Sequence, residues 1–200
     1  MTLAGGVVRR SSDLLAAGVR AQTIAKALAA GVIVKTAHGA YHLAQGAPEP
    51  WVVGLAAACA RMPRAVVCLT SAAYFEKLVD GPPPLTWLAM PIQVHEAQVG
   101  QVAHRTIRWS YEGAFDIGIV EDTVCGVPFR RTGSARTVVD LVRYSRHLGG
   151  EAIGIEAGRR LAARGGNFEE VLAIARTLRT PTAALRTMEI MASSLRRALP

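Results

Sequence analysis

Residues 13–43 read DLLAAGVRAQTIAKALAAGVIVKTAHGAYHL, and this stretch decides the N-terminal fold. Ser11 or Ser12 can cap a short helix over 13–17, with Asp13 favourably placed in its first turn. Gly18 ends that helix and Gly18-Val19 makes a tight turn. A second helix is expected over 20–30, where Ile24 and Leu28 stand four apart on one face and Ala21 and Ala25 permit close packing. Gly31 closes it. The β-branched run Val32-Ile33-Val34-Lys35, a turn at 36–39 and then Ala40-Tyr41-His42-Leu43 spell a hairpin. Two short helices, a tight turn and a hairpin in this order predict a winged helix-turn-helix, whose second helix is presented to the DNA major groove.

The outward face of the second helix carries Arg20, Gln22, Thr23 and Lys26, side chains that read base edges or grip phosphate. Lys35 and His38 stand on the wing, suited to the backbone or the minor groove. Arg9 and Arg10 form a basic arm just before the first helix. These eight residues are the expected DNA contacts. Winged-helix units also serve as protein docking modules, so the fold alone does not fix the function.

Charge sharpens this reading. The chain has 200 residues and a net charge of +8, is half hydrophobic, and holds only three lysines, Lys26, Lys35 and Lys77. This composition excludes disordered, collagen-like and coiled-coil classes. Residues 1–45 hold five basic side chains against one acid, Asp13. Residues 46–147 hold ten basic and nine acidic, and residues 148–200 hold eight arginines and five glutamates. The excess sits at the two ends, as expected if both ends meet acidic partners.

Residues 46–147 read as a small mixed α/β domain. Helices are expected at 51–61, at 72–78 after Thr70 or Ser71, and at 135–144 after Ser134. Strands are expected at 66–69, 85–90, 106–110 and 119–124. Residues 148–200 read as three helices. The first covers 151–164. The second opens at Asn167 with Glu170 at capping-box spacing, and the third follows Thr180-Pro181. In the third, Leu185, Met188, Ala192, Leu195 and Leu199 form a stripe. The stripe packs onto the tail's own bundle or docks a partner, with Arg186, Arg196 and Arg197 off the stripe to meet an acidic protein surface or DNA. The predicted class is therefore α+β, with modules at 1–45, 46–147 and 148–200.

Three segments together resemble the AbiEi family, the antitoxins of type IV toxin–antitoxin systems. The first is Asp13 to Val19, then Ile24 to Leu28, Gly31-Val32-Ile33 and Gly39-Ala40-Tyr41. The second is Leu69-Thr70-Ser71-Ala72-Ala73 with Leu78. The third is Gly126-Val127-Pro128, Ser134-Ala135-Arg136-Thr137 and Val139-Asp140-Leu141. The resemblance spans roughly residues 1–145 and rests on the order and spacing of the segments. It implies a DNA-binding N-terminal domain that represses its own operon. It also implies a C-terminal domain that counters a nucleotidyltransferase-like toxin encoded next door. The tail matches only in being helical and basic, so toxin-contact residues do not carry over from the family.

Catalytic signatures are missing from the sequence. The glycine pairs at 5–6, 149–150 and 165–166 lack the Lys-Ser/Thr ending of a phosphate loop, and no Gly-x-Ser-x-Gly elbow or kinase signature set occurs. His38 and His42 stand four apart, but across a hairpin rather than on a helix, so they do not read as a metal pair. Some members of the resembled family carry an appended nuclease. The acids Asp116, Glu121 and Asp122 lack the Lys two residues after Glu that such a site needs. Cys59, Cys68 and Cys125 are widely spaced in or beside apolar runs and read as buried hydrophobes in a reducing compartment. No leader and no membrane span are read, so the expected location is the cytoplasm. No cofactor is called for.

The expected function is an autorepressing antitoxin with two partners, operator DNA and the toxin. One alternative is an antitoxin that inactivates the toxin covalently by promoting its phosphorylation. Another is a ligand-responsive winged-helix regulator with no toxin.

Overall fold

Alternation along the strands decides which face of the main sheet each residue serves. The computed structural model describes residues 7–37, 39–46, 49–96, 99 and 102–198, without the side chains of residues 36, 37 and 196–198. The main sheet is built from β4 (Val66–Val67), β5 (Thr86–Pro91), β6 (His104–Trp109), β7 (Ile119–Val124) and β8 (Val127–Thr132), in the order β6-β5-β4-β8-β7. On β5, Trp87 and Ala89 enter one apolar cluster, while Leu88 and Met90 enter another on the opposite face. Val66 and Val67 divide in the same way. Pairing is mixed: β5 runs antiparallel to β4 and parallel to β6, and β8 runs parallel to β4 and antiparallel to β7.

Helix α3 (Pro50–Arg61) covers one face, with proline at its start and an almost unbroken buried run from Leu55 to Ala60. The other face is covered by α5 (Ser134–Arg143), on which α6 (Ala152–Ala163), α7 (Phe168–Thr177) and α8 (Thr182–Ala198) pack. Helix α4 (Leu69–Phe75) sits beside α5 and β5. With the sheet on one side and the tail helices on the other, every residue of α5 from Ala135 to Val142 is buried, including Arg136 and Asp140. Small residues make this possible. A Cβ added at Gly154 would lie 2.8 Å from Val142 Cγ2, so α6 meets α5 almost backbone to backbone.

The N-terminal elements form a second sheet. Helices α1 (Ser11–Ala16) and α2 (Ala21–Ala29) precede the hairpin of β2 (Ile33–Ala37) and β3 (Ala40–Leu43), and β1 (Arg9–Arg10) pairs with the free side of β3 to give the order β1-β3-β2. Leu14, Ile24 and Ile33 make a small core, with Val19, Ala27, Tyr41 and Leu43 against it. Val8 and Ala40 instead belong to the main core, beside α3. The fold is thus α+β with two sheets.

Several local expectations are corrected. Arg9 and Arg10 are a strand, not a free arm, because β3 offers an unpaired edge and Val8 anchors the segment from below. Arg10, not a serine, is the N-cap of α1, since Asp13 three residues on accepts from its backbone N–H (3.4 Å) and from its side chain. Leu28 is 38 % exposed. Ala27 takes its place in the small core because it follows Ile24 by three and faces the hairpin. Ser134 does not cap α5; Gly133 is the N-cap, and the Ser134 hydroxyl donates to Glu76. Asn167 does cap α7, accepting the Glu169 N–H at 2.9 Å. The described part of the α8 stripe faces inward: Met188 and Ala192 are buried, and Leu185 and Leu195 are half-buried, while Leu199 lies outside the described residues.

Candidate nucleic-acid interface

The candidate interface is built on α2. Arg20 is its N-cap with extended backbone, and no side chain caps the helix. Gly18 (φ 84°) and Gly31 (φ 67°) supply the left-handed turns that separate α2 from α1 and from the hairpin. Ile24 is the one buried residue of α2, and it fixes the helix's rotation. Arg20, Gln22, Thr23 and Lys26 are in consequence all exposed.

Lys35 comes from the hairpin. Its partner across the ladder is Tyr41, and Tyr41 is also the partner of Arg9, so the three lie in one row across the three-stranded sheet. Residues directly opposite one another share a face. This is the face of Ile33 and Tyr41, on which α1 and α2 pack. Lys35 is exposed and stands on the same side of the sheet as α2.

The two arginines of β1 are held differently. Arg9 reaches toward the turn between β7 and β8, where its Nη1 lies 3.4 Å from the Gly126 carbonyl. Arg10 makes a two-pronged ion pair with Asp13, Nε to Oδ2 and Nη2 to Oδ1, both 3.1 Å. The Arg10 guanidinium holds the Asp13 carboxyl below its ordinary 3.8. Asp13 is the only acid of residues 1–45, and this pair engages it. What faces solvent from α2 and β2 therefore carries no competing negative charge. The sequence reading missed this pairing, although the Arg10 to Asp13 spacing is its visible signal.

His38 lies outside the described residues. His42 is buried, with Nδ1 2.7 Å from the Leu43 carbonyl. No group of three metal-ligating side chains occurs among the described residues. At the other end of the chain, Arg186 is exposed on α8, and Arg196 and Arg197 fall in the last turns of that helix, where side chains are not described. Among the described residues, no helix is long and apolar enough to cross a membrane.

The motif segments 134–141 occupy the interior rather than a site. Arg136 donates to the Ala114 carbonyl (2.9 Å) and the Ile117 carbonyl (2.6 Å), and its guanidinium lies over the Trp109 ring at 4.3 Å. It thereby ties α5 to the loop between β6 and β7. Of the three acids Asp116, Glu121 and Asp122, the last two lie on β7 rather than in a turn; Asp116 and Glu121 are exposed, and Asp122 accepts from Arg131 at 2.9 Å.

Neither a family model nor a curated protein sequence matches the chain. Among solved structures the chain is similar to the RV2827C protein from Mycobacterium tuberculosis, with a TM-score of 0.68 and 16 % identity over 94 % of this chain and 72 % of that one. At this identity the likeness is one of fold.

Proposed function

We propose that the chain is a DNA-binding antitoxin that represses its own operon and neutralises a nucleotidyltransferase-like toxin in the cytoplasm. In this reading residues 1–45 are a winged helix-turn-helix, residues 46–147 the antitoxin core and residues 148–200 its basic helical tail. The observation that carries the DNA half is the face of α2, where Arg20, Gln22, Thr23 and Lys26 are all exposed around a single buried anchor, Ile24. Lys35 on β2 supports it from the wing. Arg9 and Arg10 flank the module as phosphate contacts, with Arg10 shared between Asp13 and DNA. The antitoxin half rests on the AbiEi-like segments, with Arg186, Arg196 and Arg197 directed to the toxin.

Binding of the full chain to the DNA upstream of its own gene tests the first half. Arg20→Ala combined with Lys26→Ala is expected to weaken binding by at least about tenfold and to lower the salt slope by roughly two. Unchanged affinity and slope would remove α2 from the interface. Co-expression with the adjacent gene tests the second half: growth inhibition by that gene's product is relieved by this chain.

A further inference from the structure

The outer side of the tail bundle holds an apolar groove that the fold does not fill. A Cβ on Gly158 would fall 2.3 Å from Met191 Cε, so the bare backbone there lets Met191 lie against α6. Toward solvent a cleft of about 350 Å³ opens, with Ile155, Met191 and Leu195 in its walls. Ile190 also lines it and is 67 % exposed, the most exposed large apolar side chain among the described residues. A single exposed isoleucine is ordinary. A concave cluster of four apolar side chains, one of them mostly in water, has the form of a protein contact.

Two charged side chains line the groove, Glu151 and Arg159, and they are placed evenly about its middle. Glu151 is the N-cap of α6 in helical backbone, and the Ile155 N–H donates to its carbonyl at 3.0 Å. Glu151, Ile155 and Arg159 therefore recur at four-residue intervals along one face. The carboxylate stands one turn before Ile155 and the guanidinium one turn after it. Glu151 accepts from the neutral Thr187 hydroxyl at 3.1 Å and has no ion pair among the described residues, so its charge is unopposed. Arg159 touches Glu156 only at 3.8 Å and is 69 % exposed, while Arg160 holds the same carboxylate at 3.0 Å. So exposed and long a contact leaves Arg159 open to a better partner. On α8 the polar lining residues, Thr187 and Ser194, are neutral. A partner of one sign, an acidic protein or a nucleic acid, meets a like charge here. A second copy of this chain does not. Across a two-fold axis at Ile155, antiparallel α6 helices set Glu151 of each protomer opposite Arg159 of the other and bring the two Ile155 side chains together.

We infer that two copies of this chain associate through the α6–α8 groove, with their α6 helices antiparallel across a two-fold axis and Ile190 covered by the contact. The inference is independent of the antitoxin reading. Analytical ultracentrifugation of the full chain over a range of concentrations tests it, and a reversible dimer is expected. Ile190→Asp, a change at a solvent-facing position, is expected to weaken the dimer roughly 10- to 100-fold. Arg159→Glu sets two carboxylates face to face across the axis, and Glu151→Arg sets two guanidinium groups face to face. Each change alone is expected to weaken the dimer by about tenfold or more. An equimolar mixture of these two variants restores both opposite-charge pairs and is expected to form the dimer again, which a misfolded variant does not do. A wild-type chain that stays monomeric at every concentration overturns the proposal, as does a dimer that persists unchanged in Ile190→Asp. Charge variants that dimerise like the wild type, or that fail to recover on mixing, overturn it as well. A monomeric wild type whose affinity for operator DNA or for the adjacent gene's product falls in Ile190→Asp assigns the groove to that partner instead.

Discussion

The guanidinium of Arg136 and the carboxylate of Asp140 meet at 3.0 Å, one turn apart on α5, and neither side chain is exposed. Removing one partner leaves the other charge buried without a counter-ion. Asp140→Ala is therefore expected to cost about 3–5 kcal/mol, read from urea unfolding. Replacing both with apolar residues is expected to cost less than either single change.

The same carboxyl sets a pH dependence. Burial raises the Asp140 pKa above its ordinary 3.8, with Arg136 acting in opposition. The folded chain thus holds this proton more tightly than the unfolded chain. That contribution is complete below the unfolded value and is lost as pH rises through the folded one. Asp140→Asn lacks this change. Its stability deficit relative to the natural chain should be largest near pH ~4 and narrow toward pH ~7, as urea curves at several pH values will show.

Gly118 lies beneath Arg136 with φ of 65°, and a Cβ there would come within 2.7 Å of Arg136 Cβ. Both the left-handed backbone and the close approach exclude a side chain. Gly118→Ala should cost about 2–4 kcal/mol, whereas the same change at Gly81, which meets nothing within 4 Å, should cost about 1 kcal/mol. Thermal melts of the two variants make the comparison.

Asp13→Ala removes the partner of Arg10 and the reciprocal cap of α1. The cap loss is worth about 1 kcal/mol. The Arg10 guanidinium is then no longer shared with Asp13 and meets phosphate alone, so the salt slope of DNA binding should steepen by up to about one. Anisotropy titrations over a range of salt will measure it.

Thiol reactivity should be ordered. Burial pushes the Cys59 thiol up to about 12 and the Cys68 thiol well above its ordinary value. Cys125 is half-buried, with a smaller rise. In the native chain Cys125 should react first with a thiol reagent, and Cys59 and Cys68 only on unfolding.

What was legible in the sequence follows from local rules. The limits of α2, the hairpin, the Asn167 cap and the continuous apolar run of α3 each depend on neighbours a few residues away, and the structure places all four close to where the residues say. The exposed row of α2 was legible from Ile24, but Leu28, read on the same inward face, lies outside the core because the small core has room only for Ala27 beside the hairpin. The rest depends on distant chain. A two-residue strand such as β1 has no period to detect, and it exists only because β3 has a free edge. Arg136 is a charged residue within α5, and nothing within that helix reveals that Trp109 and the loop between β6 and β7 close over it.

Val8, just before β1, and Ala40, in β3, lie in the same apolar cluster as α3 and β5, and the Val8 N–H donates to the Cys125 carbonyl at 2.9 Å. The two parts of the chain are therefore expected to unfold together. Ligand held on α2 at a hundred times its dissociation constant would add about 2.7 kcal/mol to the unfolding free energy, and that increment would be spread to amides as far away as Leu88. Hydrogen exchange in the central strands would then report occupancy of a surface they never touch.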